Sequence, residues 1–424
     1  MQSTTAQSIN TLAAKTQSST TTQTYDSVII GGGPAGATAA TDLAKQGLSV
    51  LLLDRAGRIK PCGGAIPPIA IEEFTIPGHL LKARIQLARA ISPTQKQVDM
   101  PIDGGYVGMV DREEFDEWLR VRAANQGARR ETGSFVRLDR DSDGTALVYF
   151  RRGRDRKNLE CIRARTVIGA DGARSEVARQ TIPGAEDIPF VAAYHEIVRS
   201  PANSRSTPAS AGAAFEFDKN RCDIYYEGRL SPDFYAWVFP HGETTSIGVG
   251  SACKGFSLRG AVNALRADTG LENNETIRRE GAPIPLRTLK KWDNGQDVIL
   301  AGDAAGVVAP ASGEGIYYAM LCGRLVADSV ASYCATGDAK QLRTARKRFM
   351  KAHGKVFWVL GIMQSFWYKN DKRRERFVSM CNDPDVQHLT WQAYMHKRLV
   401  RAKPMAHVRI FFKDLAHLFG IVAP

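Results

Sequence analysis

The sequence contains no apolar segment long enough to cross a bilayer and no paired cysteine motif. Its longest nearly uncharged aromatic run, residues 356–368, is well short of the ~20 residues that a membrane-spanning helix needs. Seven cysteines are scattered along the chain without a C-x-x-C pair or a Cys/His cluster at metal-ligand spacing. The pattern predicts no transmembrane helix, no bound metal and a reducing compartment.

The first 24 residues lack acidic residues, arginine and an apolar segment. They contain 12 Ser or Thr and a single Lys. A secretory signal requires an apolar region, and organelle transit peptides are usually rich in Arg. Residues 1–24 are therefore predicted to form a disordered tail, and plastid import is the less favoured alternative.

The charge is unevenly distributed along an otherwise ordinary composition. Of 424 residues 43% are hydrophobic and 24% are charged, values typical of a soluble globular chain. The length allows two to four domains or one large interleaved enzyme. Of the formal charge of +13, residues 341–424 carry +12. No nucleic-acid recognition motif accompanies this charge, so we expect no nucleic-acid partner.

Several buried strands and one helix predict a parallel sheet. Residues 25–30 and 48–54 read as apolar strands on either side of an Ala-rich helix at 35–46, and two later strands are expected at 164–170 and 297–301. Strands that are apolar throughout are typical of a parallel sheet covered on both faces. The expected fold class is α/β, with a three-layer Rossmann-like domain.

A different pattern lies between these pieces. Short segments rich in aromatic and β-branched residues, separated by turn residues, predict an antiparallel sheet inserted into the parallel fold. These segments are residues 190–197, 213–217, 222–227, 234–239 and 244–250. The predicted division is a discontinuous first domain (25–185 and 285–340), an inserted sheet domain (186–284) and a basic helical region (341–424).

A glycine motif at the first predicted turn indicates dinucleotide binding. Gly31, Gly33 and Gly36 follow a strand and open a helix, and Asp54 ends the next strand 18 residues after Gly36. Glycines let the backbone approach a pyrophosphate, the helix N-terminus supplies free N–H donors, and the acid accepts hydrogen bonds from ribose hydroxyls. The motif alone does not distinguish FAD from NAD.

Two later segments favour FAD over NAD. Residues 169–175 (GADGARS) and 302–306 (GDAAG) each follow a predicted strand, and the second is trailed by Pro310 and the sequence SGEG at 312–315. In this order, the three segments resemble the fingerprint of the FAD-dependent superfamily that includes para-hydroxybenzoate hydroxylase and the geranylgeranyl reductases.

The resemblance implies a set of FAD contacts. Asp303 would bind ribityl hydroxyls, the helix that begins near Gly313 would direct its N-terminus at the flavin N1 and O2 side, and Arg112 would contact the flavin. The complete implied set is Gly31, Gly33, Ala35, Gly36, Asp54, Arg55, Cys62, Gly63, Gly64, Arg112, Asp171, Gly172, Gly302, Asp303, Pro310, Gly313 and Gly315.

Two further segments resemble the geranylgeranyl reductases in particular. Residues 60–64 (KPCGG) are similar to the loop that this family places beside the isoalloxazine, which makes Cys62 the candidate catalytic residue. Residues 235–240 (YAWVFP) match the family's Y-x-W-x-F-P segment. An aromatic strand face suits an apolar prenyl chain. The implied substrate contacts are Tyr235, Trp237, Phe239 and Pro240.

The C-terminal sequence narrows the family further. Residues 368–377 and 380–391 are similar to the chlorophyll and bacteriochlorophyll branch. The resemblance implies an FAD-dependent reductase that saturates three of the four double bonds of a geranylgeranyl chain, on the pigment ester or on the diphosphate. NADPH is the expected electron donor, and ferredoxin stays open because no second nucleotide motif is present.

Three points remain open from the sequence. The proton donor could be Cys62, Tyr225, Tyr226 or a flavin-bound water. An aromatic monooxygenase on the same fold and a prenyl-binding escort protein without catalysis are the alternative functions. The Cys-Gly-Gly and Y-x-W-x-F-P segments argue against the first, and the complete Gly-Asp and Asp-Gly segments argue against the second.

The end of the chain predicts membrane association. Phe411, Leu415, Leu418, Phe419 and Val422 fall on one helical stripe, with basic residues upstream. A basic amphipathic helix can lie in an anionic membrane interface. We expect a peripheral protein on the cytoplasmic face of a photosynthetic membrane; the alternative is a helix that packs on the protein core.

Overall fold

The computed structural model of the chain describes residues 23–55, 59–102, 105–153, 159–202 and 217–397. Three predicted features fall partly or wholly outside these ranges, namely the tail of residues 1–24, the strand at 213–217 and the apolar stripe of residues 411–422. They stay predictions.

The described residues form several runs of strands, separated by single helices, and then a series of helices at the end. The strands are β1 (Thr24–Ile30), β2 (Val50–Asp54), β3 (Ala65–Ile66), β4 (Leu81–Ile85), β5 (Leu87–Ile91), β6 (Gln97–Pro101), β7 (Val107–Val110), β8 (Arg129–Thr132), β9 (Ser134–Arg140), β10 (Ala146–Arg151), β11 (Leu159–Gly169), β12 (Phe190–Arg199), β13 (Arg221–Tyr225), β14 (Ala236–His241), β15 (Thr244–Ser251), β16 (Thr276–Pro285) and β17 (Val298–Leu300). The helices are α1 (Pro34–Lys45), α2 (Pro68–Glu73), α3 (Arg112–Asn125), α4 (Glu176–Thr181), α5 (Leu258–Asp268), α6 (Ile316–Thr336), α7 (Arg343–Trp367), α8 (Asp371–Met380) and α9 (Pro384–His396).

The first sheet confirms the predicted α/β, Rossmann-like fold. Strands β8, β2, β1 and β11 are parallel neighbours in that order, and β17 pairs in parallel with the last residues of β11. The first half of β11 instead pairs antiparallel with β10, and β10 pairs antiparallel with β9. Strand β1 is almost completely buried, as its continuous apolarity predicts.

The second sheet is the predicted antiparallel one, with strand order β16-β12-β15-β14-β13-β5-β6. It includes two strands, β5 and β6, from the segment that the sequence pattern assigns to the first domain, and β5 pairs in parallel with β13. Strand β16 also joins it; its three successive charged residues, 278–280, and its edge position explain why an apolar pattern does not reveal it. A small third sheet has the order β3-β7-β4.

The C-terminal region is helical, as predicted, through α7, α8 and α9. Helix α6 crosses α1 so closely that a Cβ at Gly323 would lie 2.3 Å from the Ala35 carbonyl oxygen. Helix α7 packs on α6 through a buried face that contains Phe349, Val356 and Phe357. Within the described ranges, no helix is long and apolar enough to cross a membrane.

Candidate active site

The three glycine-containing segments meet at the carboxyl ends of the parallel strands. The Gly31 amide donates to the Leu53 carbonyl (2.8 Å), and the Ala170 amide donates to the Ile30 carbonyl (2.8 Å). The Ala301 amide donates to the Gly169 carbonyl, also at 2.8 Å. Segments that are more than 100 residues apart in sequence therefore form one continuous edge, where ligands bind in open α/β sheets.

Two glycines of the first motif are required by close contacts. A Cβ at Gly31 would lie 2.2 Å from the Ala170 carbonyl oxygen, and Gly31 has a φ of +108°. A Cβ at Gly36 would lie 1.9 Å from the Gly31 carbonyl oxygen. Gly33 is different, since a Cβ there would meet nothing within 4 Å. Gly31 and Gly36 therefore allow close packing of the backbone, whereas Gly33 borders open space.

The N-terminus of α1 faces that open space without a side chain that caps it. Gly33 is the N-cap residue, Pro34 follows it, and the first turn contains no acidic residue. Its free amides and the positive end of the helix dipole are suited to a pyrophosphate. Asp54 ends β2 beside this turn and lies 3.3 Å from an Arg120 guanidinium nitrogen. These features fit the ADP half of FAD.

The Gly-Asp segment lies across the cleft from the Cys-Gly-Gly loop. Asp303 forms an ion pair with Lys60, and a Cβ at Gly315 would lie 3.7 Å from the Asp303 carboxylate. A Cβ at Gly302 would lie 2.7 Å from the Ala35 side chain, on the first turn of α1. Asp303 therefore lies between α1, the loop at residue 60 and the start of α6, where a ribityl chain would pass.

Asp171 is turned toward α4. Its carboxylate accepts hydrogen bonds from the Ser175 hydroxyl (2.5 Å) and from the Glu176 amide (2.7 Å). Burial raises the pKa of this carboxyl group. In this geometry Asp171 caps a helix, and the neighbouring Gly172, which has open space around it, borders the cleft instead.

The remaining predicted cofactor residues have varied surroundings. Arg55 is exposed after β2, and Pro310 is buried. A Cβ at Gly313 would lie 3.4 Å from the Tyr235 hydroxyl. Ala311, which lies between Pro310 and Gly313 in the sequence, has a φ of +62°, a strained value for a residue with a side chain. Strain of this kind occurs where a backbone is shaped for a ligand.

Cys62 lies where the cofactor edge meets the second sheet. A Cβ on the neighbouring Gly63 would lie 3.2 Å from the Phe239 ring. Arg112, at the first turn of α3, forms a two-pronged ion pair with Asp116 (2.8 and 2.7 Å). Burial alone would lower the pKa of Arg112, but the Asp116 carboxylate and the adjacent Cys62 hold that pKa above its ordinary value.

The predicted aromatic face exists, although one residue lies outside it. Ring centroids of Tyr235 and Trp237 are 5.9 Å apart, and those of Trp237 and Phe239 are 6.1 Å apart. The Tyr235 hydroxyl donates to the Ser312 carbonyl (2.6 Å), which ties this face to the start of α6. Because side chains alternate along a strand, Pro240 points to the opposite face of β14 from Phe239.

A hydrogen-bonded chain beside Cys62 was not predicted from the sequence. His195 Nε2 lies 3.1 Å from Glu280 Oε2, and His195 Nδ1 lies 2.9 Å from the Ser246 hydroxyl. The Trp237 indole N–H donates to the same hydroxyl (3.1 Å). His195 and Glu280 also line a small cavity together with Cys62. The three polar residues come from separate strands, so no sequence spacing reveals them.

A buried ion pair next to the cofactor edge was also missed. Glu314, just before α6, pairs with Lys397, which follows α9. Both side chains are almost completely buried, and Lys397 Nζ lies 4.4 Å from the Tyr394 ring centroid. Burial raises the pKa of Glu314 and lowers that of Lys397, and each charge opposes the shift of the other. Only the fold brings these residues together.

The two tyrosines proposed as proton donors lie in different surroundings. Tyr225 belongs to a core cluster with Ile247 and Val249, apart from Cys62. Tyr226 packs among aromatic rings, 5.0 Å from that of Phe377, and burial raises its pKa. Neither lines the cavity that contains Cys62.

Sequence families match the two halves of the chain. Residues 25–204 match the family described as pyridine nucleotide-disulphide oxidoreductase, and residues 243–414 match the one described as lycopene cyclase protein. The first match covers the glycine motif and the Cys-Gly-Gly loop. The second covers the Gly-Asp segment and the C-terminal helices.

Whole-chain relatives are more specific. A geranylgeranyl diphosphate reductase of Rhodobacter capsulatus is 54% identical over 94% of this chain and 99% of its own length. A protein of the same name from Synechocystis is 34% identical, with coverage of 92% and 97%.

A solved structure shares the fold across both sheets. It is that of a geranylgeranyl bacteriochlorophyll reductase-like protein from Thermoplasma acidophilum, with a TM-score of 0.74 at 21% identity. The alignment covers 91% of this chain and 99% of that one. A flavin-dependent brominase has a TM-score of 0.69 at 17% identity, with coverage of 92% and 99%, and shares the fold alone.

Proposed function

The chain belongs to the geranylgeranyl diphosphate reductase family, and from that membership we propose that it reduces the double bonds of a geranylgeranyl chain with FAD as its cofactor. The observation that carries this proposal is the close approach of Phe239 to Gly63, where a Cβ would lie 3.2 Å from the Phe239 ring. It joins the cofactor edge to the aromatic face at the loop that contains Cys62. A flavin ring and an apolar chain would meet there.

The residues of the cleft suit the parts of FAD. The free amides of α1 and the open space at Gly33 would hold the pyrophosphate, and Asp54 would accept from the adenosine ribose. Asp303 would exchange its pairing with Lys60 for ribityl hydroxyls. Bound FAD supplies hydride transfer to carbon, a chemistry for which protein side chains have no substitute.

The aromatic face would orient the prenyl chain and exclude water. Tyr235, Trp237 and Phe239 form a row of aromatic rings that ends beside the loop containing Cys62. A chain without polar groups can be held only by such apolar contacts. Water exclusion matters because an isolated alkene accepts hydride poorly and because a developing cation would otherwise react with solvent.

Each double bond also takes up one proton from the protein. We assign its delivery to the cavity that Cys62, His195 and Glu280 line together. The Cys62 thiol would give its proton to the alkene carbon, and His195, held between Ser246 and Glu280, would return a proton to the thiolate and take one from Glu280 in exchange. Glu280 lies on the edge strand β16, where its carboxylate can take up a proton from solvent. Cys62, beside the same cavity, would be the last group before the substrate.

The electron donor and the substrate form are the finer parts of the proposal. NADPH fits a chain with one dinucleotide motif if the nicotinamide visits the flavin only transiently; ferredoxin is the competing donor. The substrate is the geranylgeranyl group of a (bacterio)chlorophyll ester or of the diphosphate, and the product is the phytyl group. The working place is the cytoplasmic face of a photosynthetic membrane.

A direct assay tests the function. The purified protein is incubated with geranylgeranyl diphosphate or geranylgeranylated pigment, FAD and either NADPH or reduced ferredoxin. Product masses should rise in steps of two hydrogens, up to three steps. An aromatic monooxygenase would instead consume oxygen with a phenolic substrate, and an escort protein would bind the prenyl chain without any change of mass.

A further inference from the structure

Helix α7 exposes an apolar patch to solvent. Trp358 is 69% exposed, Ile362 is 46% exposed and Val359 is 36% exposed. The other large apolar side chains that are exposed in the described residues lie singly, on α3, β11 and β16. Scattered apolar residues need no explanation, but a contiguous patch marks a surface that is covered in the working protein.

Lysines continue the same helical face. Lys347, Lys351 and Lys355 are spaced four residues apart and are exposed. Steps of three or four residues return to one side of a helix, so the three lysines lie in line with the apolar patch. We name this surface the α7 face. It consists of Lys347, Lys351, Lys355, Trp358, Val359 and Ile362.

The lysines of the α7 face are available to an outside partner. Residues 341–370 contain seven Lys or Arg and no Asp or Glu. Of the arginines, Arg348 pairs with Asp328 at 2.8 Å and Arg346 donates to the Leu289 carbonyl at 3.0 Å. The three lysines form no ion pair with any residue that the structure describes. Within the described part of the chain, their positive charge is therefore not neutralised by an acidic side chain.

We propose that the α7 face docks on an anionic lipid surface, with Trp358, Val359 and Ile362 in the interfacial layer and the three lysines on headgroup phosphates. Trp prefers this layer because one end of its ring is apolar and the other is polar. Each Lys near an anionic membrane is attracted to the negative surface potential of the lipid headgroups. A protein interface is a poorer fit, since Lys is depleted at such surfaces.

Docking through α7 would bring the membrane close to the proposed active site, and in this respect the inference rests on the proposed function. The Tyr368 hydroxyl, just after α7, donates to the Ala311 carbonyl (3.3 Å), and the Ala311 amide donates to Gln364 (3.3 Å). Ala311 belongs to the strained turn before α6. A cavity of about 540 Å³ also has Ala352 and His353 of α7 among its lining residues.

Vesicle flotation of the full chain tests this surface. The wild-type protein should float with vesicles of phosphatidylcholine and phosphatidylglycerol at low salt, and poorly with phosphatidylcholine alone. Trp358→Ser with Ile362→Ser should reduce the bound fraction at least tenfold. Lys351→Gln with Lys355→Gln should reduce it at low salt only, because salt screens the contribution of the lysines.

Matched controls are Ile277→Ser, an apolar residue 45% exposed on β16, and Lys254→Gln, an exposed lysine. Both should float like the wild type. Equal flotation of the α7 variants and the wild type would overturn the proposal, as would a wild type that ignores anionic vesicles. Loss of a dimer in the Trp358→Ser with Ile362→Ser variant, seen by sedimentation without lipid, would reassign the face to a second copy.

A separate assay keeps this outcome distinct from the proposed function. With substrate dispersed in detergent, the α7 variants should reduce the prenyl chain at the wild-type rate. Failure of the wild type in detergent counts against the reductase function and leaves flotation unaffected. Normal activity in detergent with lost flotation identifies α7 as the docking surface alone.

Discussion

The cofactor cleft and the C-terminal helices depend on their sequences in different ways. In the cleft, backbone contacts determine the residue type, since Gly31 and Gly36 have carbonyl oxygens where a Cβ would be. In α7, the proposed docking on lipid depends on exposed side chains, and Trp358 could be replaced without disturbing the backbone. The first kind of information survives as a sequence motif, whereas the second becomes visible only when the fold shows which face is exposed.

The strongest test of this difference lies within the glycine motif itself. Gly36→Ala should prevent folding, because its Cβ would lie 1.9 Å from a backbone oxygen. Gly33→Val should fold, since Gly33 has an ordinary φ of −76° and free space around it, yet it should bind FAD at least ~100-fold more weakly. Circular dichroism and flavin fluorescence titration separate the two outcomes. A Gly33→Val protein with wild-type affinity would move the pyrophosphate elsewhere.

The ion pair between Glu314 and Lys397 joins the two regions, and breaking it should have the next largest effect. Lys397→Met leaves a buried carboxylate without a partner, which typically costs 3–5 kcal/mol. The double variant with Glu314→Gln removes both charges and should recover most of that loss. Urea unfolding measures both free energies. Equal stability of the single and double variants would mean that the pair does not connect the regions.

The same contrast explains what the sequence could and could not predict. The parallel sheet and the glycine segments follow from apolar runs and fixed spacing, and both are found. Strand β16 was not predicted because three successive charged residues interrupt its apolar pattern at a sheet edge. His195 and Glu280 escaped because strand pairing alone brings them together. Asp171 fits its motif, but its carboxylate is turned to α4, a local hydrogen-bonding choice that no pattern encodes.

Acid should destabilise both regions through one histidine each, the half-buried His241 and the buried His353. Burial lowers the pKa of His241, beside the Cys62 loop, to about 4, and burial together with the Lys397 charge does the same for His353 on α7. The unfolded chain, with an ordinary pKa near 6.5, binds more protons between these values. Stability contributed by the neutral histidines is therefore complete above about pH 6.5 and is lost as the pH falls toward 4.

This loss is bounded by ~3.4 kcal/mol for each histidine, at 1.36 kcal/mol for each unit of pKa. Unfolding free energies measured at pH 7 and pH 5 should differ less in His353→Gln than in the wild type, and His241→Gln should show a reduction of its own. Identical pH dependence in the wild type and both variants would contradict the lowered pKa values.

The smallest predicted effect concerns a residue that only the fold reveals. His195→Gln keeps a side chain that can hydrogen-bond to Ser246 and Glu280 but cannot carry a proton near neutral pH. Prenyl reduction should slow about tenfold, or ~1.4 kcal/mol, while FAD affinity and the rate of flavin reduction by NADPH stay unchanged. His79→Gln, an exposed histidine, is the control. If both half-reactions slow together, His195 supports the sheet, and Cys62 regains its proton by another path.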